Sequence, residues 1–64
     1  MKLNTYELAA IMAEQGIENK ELAANTGIPL STLYATLRNG RASLKNVKKI
    51  AVALSTDVKK ITLQ

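Results

Sequence analysis

Histidine and cysteine are both absent from the 64 residues. A neutral-pH general base and a reactive thiolate are therefore missing, and a His/Cys metal site cannot be built. Of the five acids, Glu14, Glu18 and Glu21 lie nearest one another, but Gly16 interrupts the helical register between them, so they do not converge on a cation. No Gly-rich loop is present to cradle a phosphate, and no acid pair falls within one pocket-forming element. An enzyme is not expected, nor a cofactor, a metal or a small-molecule substrate. The chemistry on offer is contact chemistry, concentrated between Leu30 and Arg38. Leu33 and Leu37 stand one turn apart and take the inner side of a helix. That leaves Leu30, Ser31, Tyr34, Ala35 and Arg38 outward: a hydroxyl, a phenol, two apolar groups and a cation. Two alternatives stay open here. Leu30 also fits the inward stripe with Leu33 and Leu37, and the Tyr34 ring could lie over a neighbouring helix.

Charge points to the partner of such a face. The net charge is +4, and it is unevenly spread. Residues 1–26 hold Lys2 and Lys20 against Glu7, Glu14, Glu18 and Glu21, a balance of −2. Residues 27–64 hold Arg38, Arg41, Lys45, Lys48, Lys49, Lys59 and Lys60 against Asp57, a balance of +6. A basic half is the footprint of a phosphate-binding surface. A solubilising surface would look similar, and charge alone does not separate the two.

Four or five helices must position these groups. Asn4 is placed to cap a first helix over Thr5–Gln15, with Glu7 completing a capping box. Leu8, Ile11 and Met12 mark its buried face; Gly16 ends it, and Ile17 plugs the connection. A second helix covers Asn19 to Asn25, capped by Glu18 or Asn19. The third covers Leu30 to Arg38, and Asn39-Gly40 then turns the chain. Ser43 caps a fourth helix, Leu44 to Leu54, with Leu44, Val47, Ile50, Ala51 and Leu54 as its buried stripe. In the tail, Val58 and Ile61 suggest a short fifth helix, while Lys60-Ile61-Thr62-Leu63 alternates like an extended segment. The short helix is favoured, and Ile61 and Leu63 are candidates for contact with a second subunit.

Length favours one domain, 1–64. Stability in so short a chain must come from dense aliphatic packing or association. No run nears the ~20 apolar residues of a membrane span. Asn4, Thr5 and Glu7 interrupt any signal-peptide core after Met1-Lys2-Leu3. Helix four is basic and amphipathic, but the core needs its apolar face, so no membrane partner is expected.

The middle of the chain has a specific form. Leu22-Ala23 is followed by Gly27-Ile28-Pro29, then Ser31-Thr32-Leu33-Tyr34, then Asn39-Gly40. Two short helices joined by a Gly-containing turn make a helix-turn-helix unit. Gly27 supplies positive φ at the end of the first helix, and Pro29 suits the start of the second. These residues resemble the Cro and lambda-repressor-like helix-turn-helix family (XRE type), and the resemblance runs from about Leu8 to Leu63. It implies an all-α, compact, lambda-repressor-like fold with the motif at helices 2 and 3, and a second motif helix that enters the DNA major groove. One departure is Thr36 where the family has a branched aliphatic. Leu37 would take over that contact, rotating or slightly lengthening the helix end.

The resemblance carries roles to named positions. Leu30, Ser31, Tyr34, Ala35 and Arg38 match the family's base-reading positions. Leu30 and Ala35 suit thymine methyls, and Ser31 suits base edges. The first turn has no Gln, Asn or Arg for bidentate reading, so apolar and shape readout is expected. Asn19 and Lys20 at the start of the second helix, with Thr32, Asn39, Arg41 and Lys45, fall to phosphate contact; a plain cap is the equal alternative for Asn19. The implied function is a sequence-specific regulator of double-stranded DNA, a phage or mobile-element Cro-like repressor in the bacterial cytoplasm. It would act as a homodimer on a palindromic operator. The alternatives are a protein-interaction module of the same fold that modulates another regulator, and an accessory DNA-binding factor of a mobile-element complex.

Overall fold

A computed structural model of the chain describes residues 1–63. Its helices begin and end where local chemistry dictates. Helix α1 spans Thr5–Gln15, and the Asn4 side chain accepts from the Glu7 N–H at 3.1 Å. The reciprocal half of the capping box is replaced, because the Asn4 N–H donates to the Ile61 carbonyl at 2.8 Å. Gly16 takes φ +68 and lets its own N–H and that of Ile17 reach back to Ala13 and Met12. That paired return is the Schellman ending, and Ile17 packs on the core as the plug expected of it.

Helix α2 spans Asn19–Thr26, α3 Leu30–Asn39 and α4 Leu44–Ala53. Ser43 caps α4 by accepting from the Asn46 N–H at 3.2 Å. A single 3₁₀ turn, η1, follows at Val58–Ile61. The tail therefore divides between the two readings: a short helix first, then Thr62 in extended backbone; Gln64 lies outside the described residues. Helix α3 runs through Asn39, one residue past the expected end, with Thr36 and Leu37 both half-buried.

The core takes one or more anchors from every element. Leu8, Leu22, Leu33, Val47, Ile50, Leu54 and Ile61 are fully enclosed. Each such side chain is worth about 1.5–3 kcal/mol of transfer free energy, and this packing takes the place of disulfide or metal. The Gln15 side chain ties the end of α1 to the Leu54 carbonyl at 2.7 Å.

Several expectations are corrected here. Leu44 is 65% exposed and leaves the α4 stripe, since it sits at the very start of the helix, directly after the cap. Val52, on the outer side of the same helix, is 70% exposed. Ile61 is wholly enclosed and cannot meet a second subunit, whereas Leu63 stays half-exposed. Helix α3 starts at Leu30 as expected, with Pro29, at ψ 141, in the cap position just before it. Helix α2 begins at Asn19 as expected, and of the two cap candidates Glu18 holds the position, without a side-chain cap bond.

Lys2 and Leu3, expected only to lead into α1, are each held by an isolated antiparallel bridge. Lys2 bridges antiparallel to Arg41, and Leu3 bridges antiparallel to Thr62. The Leu3 N–H donates to Gly40 and the Ala42 N–H to Met1, at 2.8 and 3.0 Å. On the other edge, Leu63 N–H donates to Lys2 at 3.0 Å. Leu3 drops its side chain into the core, with 3% exposure.

A second feature without a sequence signal ends α4. Ser55 adopts φ 54, the left-handed region, while Ser55 and Thr56 N–H groups return to Val52 and Ala51. This is the geometry that Gly16 serves in α1, built here with a residue that has a Cβ. Left-handed backbone costs an L-residue about 1–2 kcal/mol. Ser55→Gly is expected to raise stability in urea melts by some tenths to about 1 kcal/mol, part of the relief being offset by glycine's chain entropy. Leu3→Ala is expected to cost about 2–5 kcal/mol, a large part of what so short a domain has. An unchanged urea midpoint for Leu3→Ala would mean that the N-terminal segment is only laid against the surface.

Candidate nucleic-acid interface

Helix α3 is oriented by what it buries. Leu33 has no exposure at all, and Leu30 and Leu37, neighbours of it on the same face, pack half-buried on the core. At 100° per residue, the opposite side carries Ser31, Ala35 and Arg38, with Tyr34 on one flank and Thr32 and Asn39 on the other. Ser31, Thr32, Arg38 and Asn39 are exposed, Tyr34 is 49% exposed, and Ala35 is half-buried. The helix therefore presents hydroxyl, phenol, methyl and guanidinium groups along one stripe. Leu30 belongs mainly to the inner side: it can offer at most part of its surface to a ligand.

The turn before α3 is built from side-chain and main-chain bonds together. Thr26 Oγ1 donates to the Leu22 carbonyl at 2.8 Å and accepts from the Ile28 N–H at 3.2 Å. Gly27, at φ +76, sends its N–H back to Ala23 at 2.9 Å. Ile28 then seals the corner at 5% exposure, and Ala23 of α2, small and buried, belongs to the same core. The angle between α2 and α3 is thus set by a short chain of defined contacts.

The helix starts differ in a way that bears on phosphate binding. Helices α1 and α4 have side-chain caps, from Asn4 and Ser43. Helices α2 and α3 have none: Glu18 and Pro29 hold the cap positions and make no side-chain cap bond. The first-turn N–H groups of the two motif helices keep their partial positive charge for an outside acceptor. Asn19, half-buried, and Lys20, exposed, stand at the α2 start. Arg41 lies exposed just beyond the α3 end, and Lys45 lies exposed in the first turn of α4. Residues 27–56 contain no Asp or Glu, so no carboxylate of this stretch opposes them.

One candidate was missed in the sequence. Lys2 is exposed and lies opposite Arg41 across the bridge. The signal was there only as the alternation Met1-Lys2-Leu3, too short to read as a strand. Among the described residues, no group of three or more His, Cys, Asp or Glu is placed to hold a metal ion. No helix of the described residues is long and apolar enough to cross a membrane.

Among the described residues, four α-helices, the second and third joined through a Gly turn, and a polar face carrying Arg38 on the third are the form of a helix-turn-helix domain. The model of the Cro/C1-type HTH DNA-binding domain family matches residues 7–61. The chain belongs to that family, and the all-α fold and the motif at α2 and α3 agree with it. Comparison with curated proteins and with solved structures found no match.

The turn makes its own prediction. Thr26→Val keeps the volume but removes the hydroxyl, leaving the Ile28 N–H without its acceptor. The expected cost is about 1–3 kcal/mol in chemical denaturation. A loss of only a few tenths would show that water replaces the hydroxyl freely.

Proposed function

We propose that this protein is a sequence-specific, double-stranded-DNA-binding transcriptional regulator, a Cro-like repressor of phage or mobile-element type working in the bacterial cytoplasm. One observation carries the reading: Leu33 is sealed in the core while Ser31, Tyr34 and Arg38 on the same helix stand free. A helix so oriented fits the ~12 Å major groove of B-DNA with its polar stripe toward the base edges. Family membership supplies the DNA-binding class.

The division of labour follows from the side chains. Ser31, Tyr34, Ala35 and Arg38 read bases, with Leu30 contributing the exposed part of its side chain to a thymine methyl. Asn19, Lys20, Thr32, Asn39, Arg41 and Lys45 fix the domain on phosphates, which set register without carrying sequence information. One short helix reads only a few base pairs. Two copies related by a two-fold axis, on half-sites about 34 Å apart, supply the remaining specificity and make the operator palindromic. Repression is then steric: the bound dimer occupies DNA that polymerase or a competing activator needs.

A protein-interaction module of this fold would be favoured by an exposed apolar Leu30 at the start of α3. Leu30 packs against the core, which removes that support and favours DNA. The test is selection of bound duplexes from a random library, which should return one dominant, two-fold symmetric consensus. On that consensus, Ser31→Ala and Tyr34→Ala should each weaken binding by about 1–3 kcal/mol, with much smaller losses on random duplex. Equal losses on both DNAs would reject the base-reading assignment.

A further inference from the structure

We propose that Lys2 and Arg41 form a two-cation clamp for a single DNA backbone phosphate beside the C-terminal end of α3. The clamp rests on the DNA-binding reading above and adds to it a site that the N-terminal segment contributes.

The geometry comes from the backbone. The Met1 carbonyl accepts from Ala42 and the Gly40 carbonyl accepts from Leu3. These bonds flank the Lys2–Arg41 bridge, which makes it a non-hydrogen-bonded antiparallel pair. In such pairs the Cα atoms lie about 4.5 Å apart and the side chains stand closest. Both side chains leave the bridge on the same face. Successive strand residues alternate faces, and Leu3 is the one directed into the core. Lys2, and Arg41 across from it, are therefore directed outward, and both are exposed.

Two like charges placed directly opposite are unfavourable in the free protein. No carboxylate of residues 1–6 or 27–56 is there to neutralise them. An anion between the two removes the repulsion and gains charge-assisted hydrogen bonds from both. Arg41 follows α3 by a single residue, Gly40, so a phosphate flanking the groove that α3 enters is the anion at hand. Main-chain bonds to Gly40 and Ala42 on either side hold Arg41 in place before any ligand arrives, which lowers the ordering cost of binding.

The experiment compares the full chain with Lys2→Gln, Lys2→Glu and Arg41→Gln. Each is titrated with one random-sequence duplex and with the selected operator across a salt series, and each is melted thermally. The clamp predicts that Lys2→Gln lowers the slope of log K against log salt by about 0.9. The affinity loss should be several-fold and equal on both DNAs. Lys2→Glu should bind worse still yet melt at an equal or higher temperature, because it faces Arg41 with an opposite charge. The Lys2→Gln, Arg41→Gln double variant should lose less than the two single losses combined. A folded Lys2→Glu variant with wild-type affinity and salt slope overturns the clamp. If Arg41→Gln still weakens binding in that case, the DNA-binding reading survives and only the clamp falls. A wild-type chain that binds neither DNA overturns both.

Discussion

The whole interface depends on the enclosure of one side chain, Leu33. A helix of ten residues can roll about its axis unless something deep holds it. Leu33 has no exposed surface, and Leu30 and Leu37, neighbours of it on the same face, also pack on the core. Rolling α3 by one residue would expose Leu33 and bury Tyr34 or Thr32 in its place. Losing the burial of a leucine costs about 1.5–3 kcal/mol, and burying an unpaired hydroxyl costs a comparable amount. The two costs add, so the rotational setting of α3 is sharply defined. Everything proposed for Ser31, Ala35 and Arg38 follows from that setting and from no special property of those residues.

The parts of the fold that were legible in the sequence share a mechanism. Asn4, Ser43, Gly16 and Gly27 act through bonds to neighbours a few residues away, so their identity suffices to place them. The aliphatic period did the same for Leu8, Ile11, Leu22, Leu33, Val47 and Ile50. The illegible parts depend on partners far along the chain. Met1–Leu3 is paired only because residues 40–42 and 61–63 arrive on its two sides. Three residues of alternation cannot announce that. Leu44 fits the helical period but lies at the first position of α4, where the core has already ended. Ser55 in left-handed backbone breaks a local preference, and the packing of Leu54 and the return bonds to Ala51 and Val52 override it.

The same contrast applies to the site. The outward stripe of α3 could be read from Leu33 and Leu37 alone, because a helix has a fixed angular step. Leu30 could not be resolved that way, since 100° steps place it beside Leu37 and only the depth of the core decides how much of it is covered. Lys2 could not be found at all without its bridge to Arg41. Sequence reasoning thus places residues that share an element with an anchor. It fails for residues joined only through backbone pairing between distant segments.

That failure exposes a division in how the surface is built. On α3, side chains do two jobs at once: Leu30, Leu33 and Leu37 hold the helix, which limits what the positions between them can be. On the N-terminal segment and the 40–42 loop, the holding is done by main-chain N–H and C=O groups, together with Leu3. Main-chain pairing is indifferent to the outward side chain, so positions 2 and 41 can both carry cations at little cost to the fold beyond their mutual repulsion. Leucine at position 3 secures the segment, and Gly40, at φ +68, ends α3 so that the loop can meet it. The chain can therefore concentrate positive charge at the end of its reading helix without drawing on the aliphatic packing that keeps so short a domain folded.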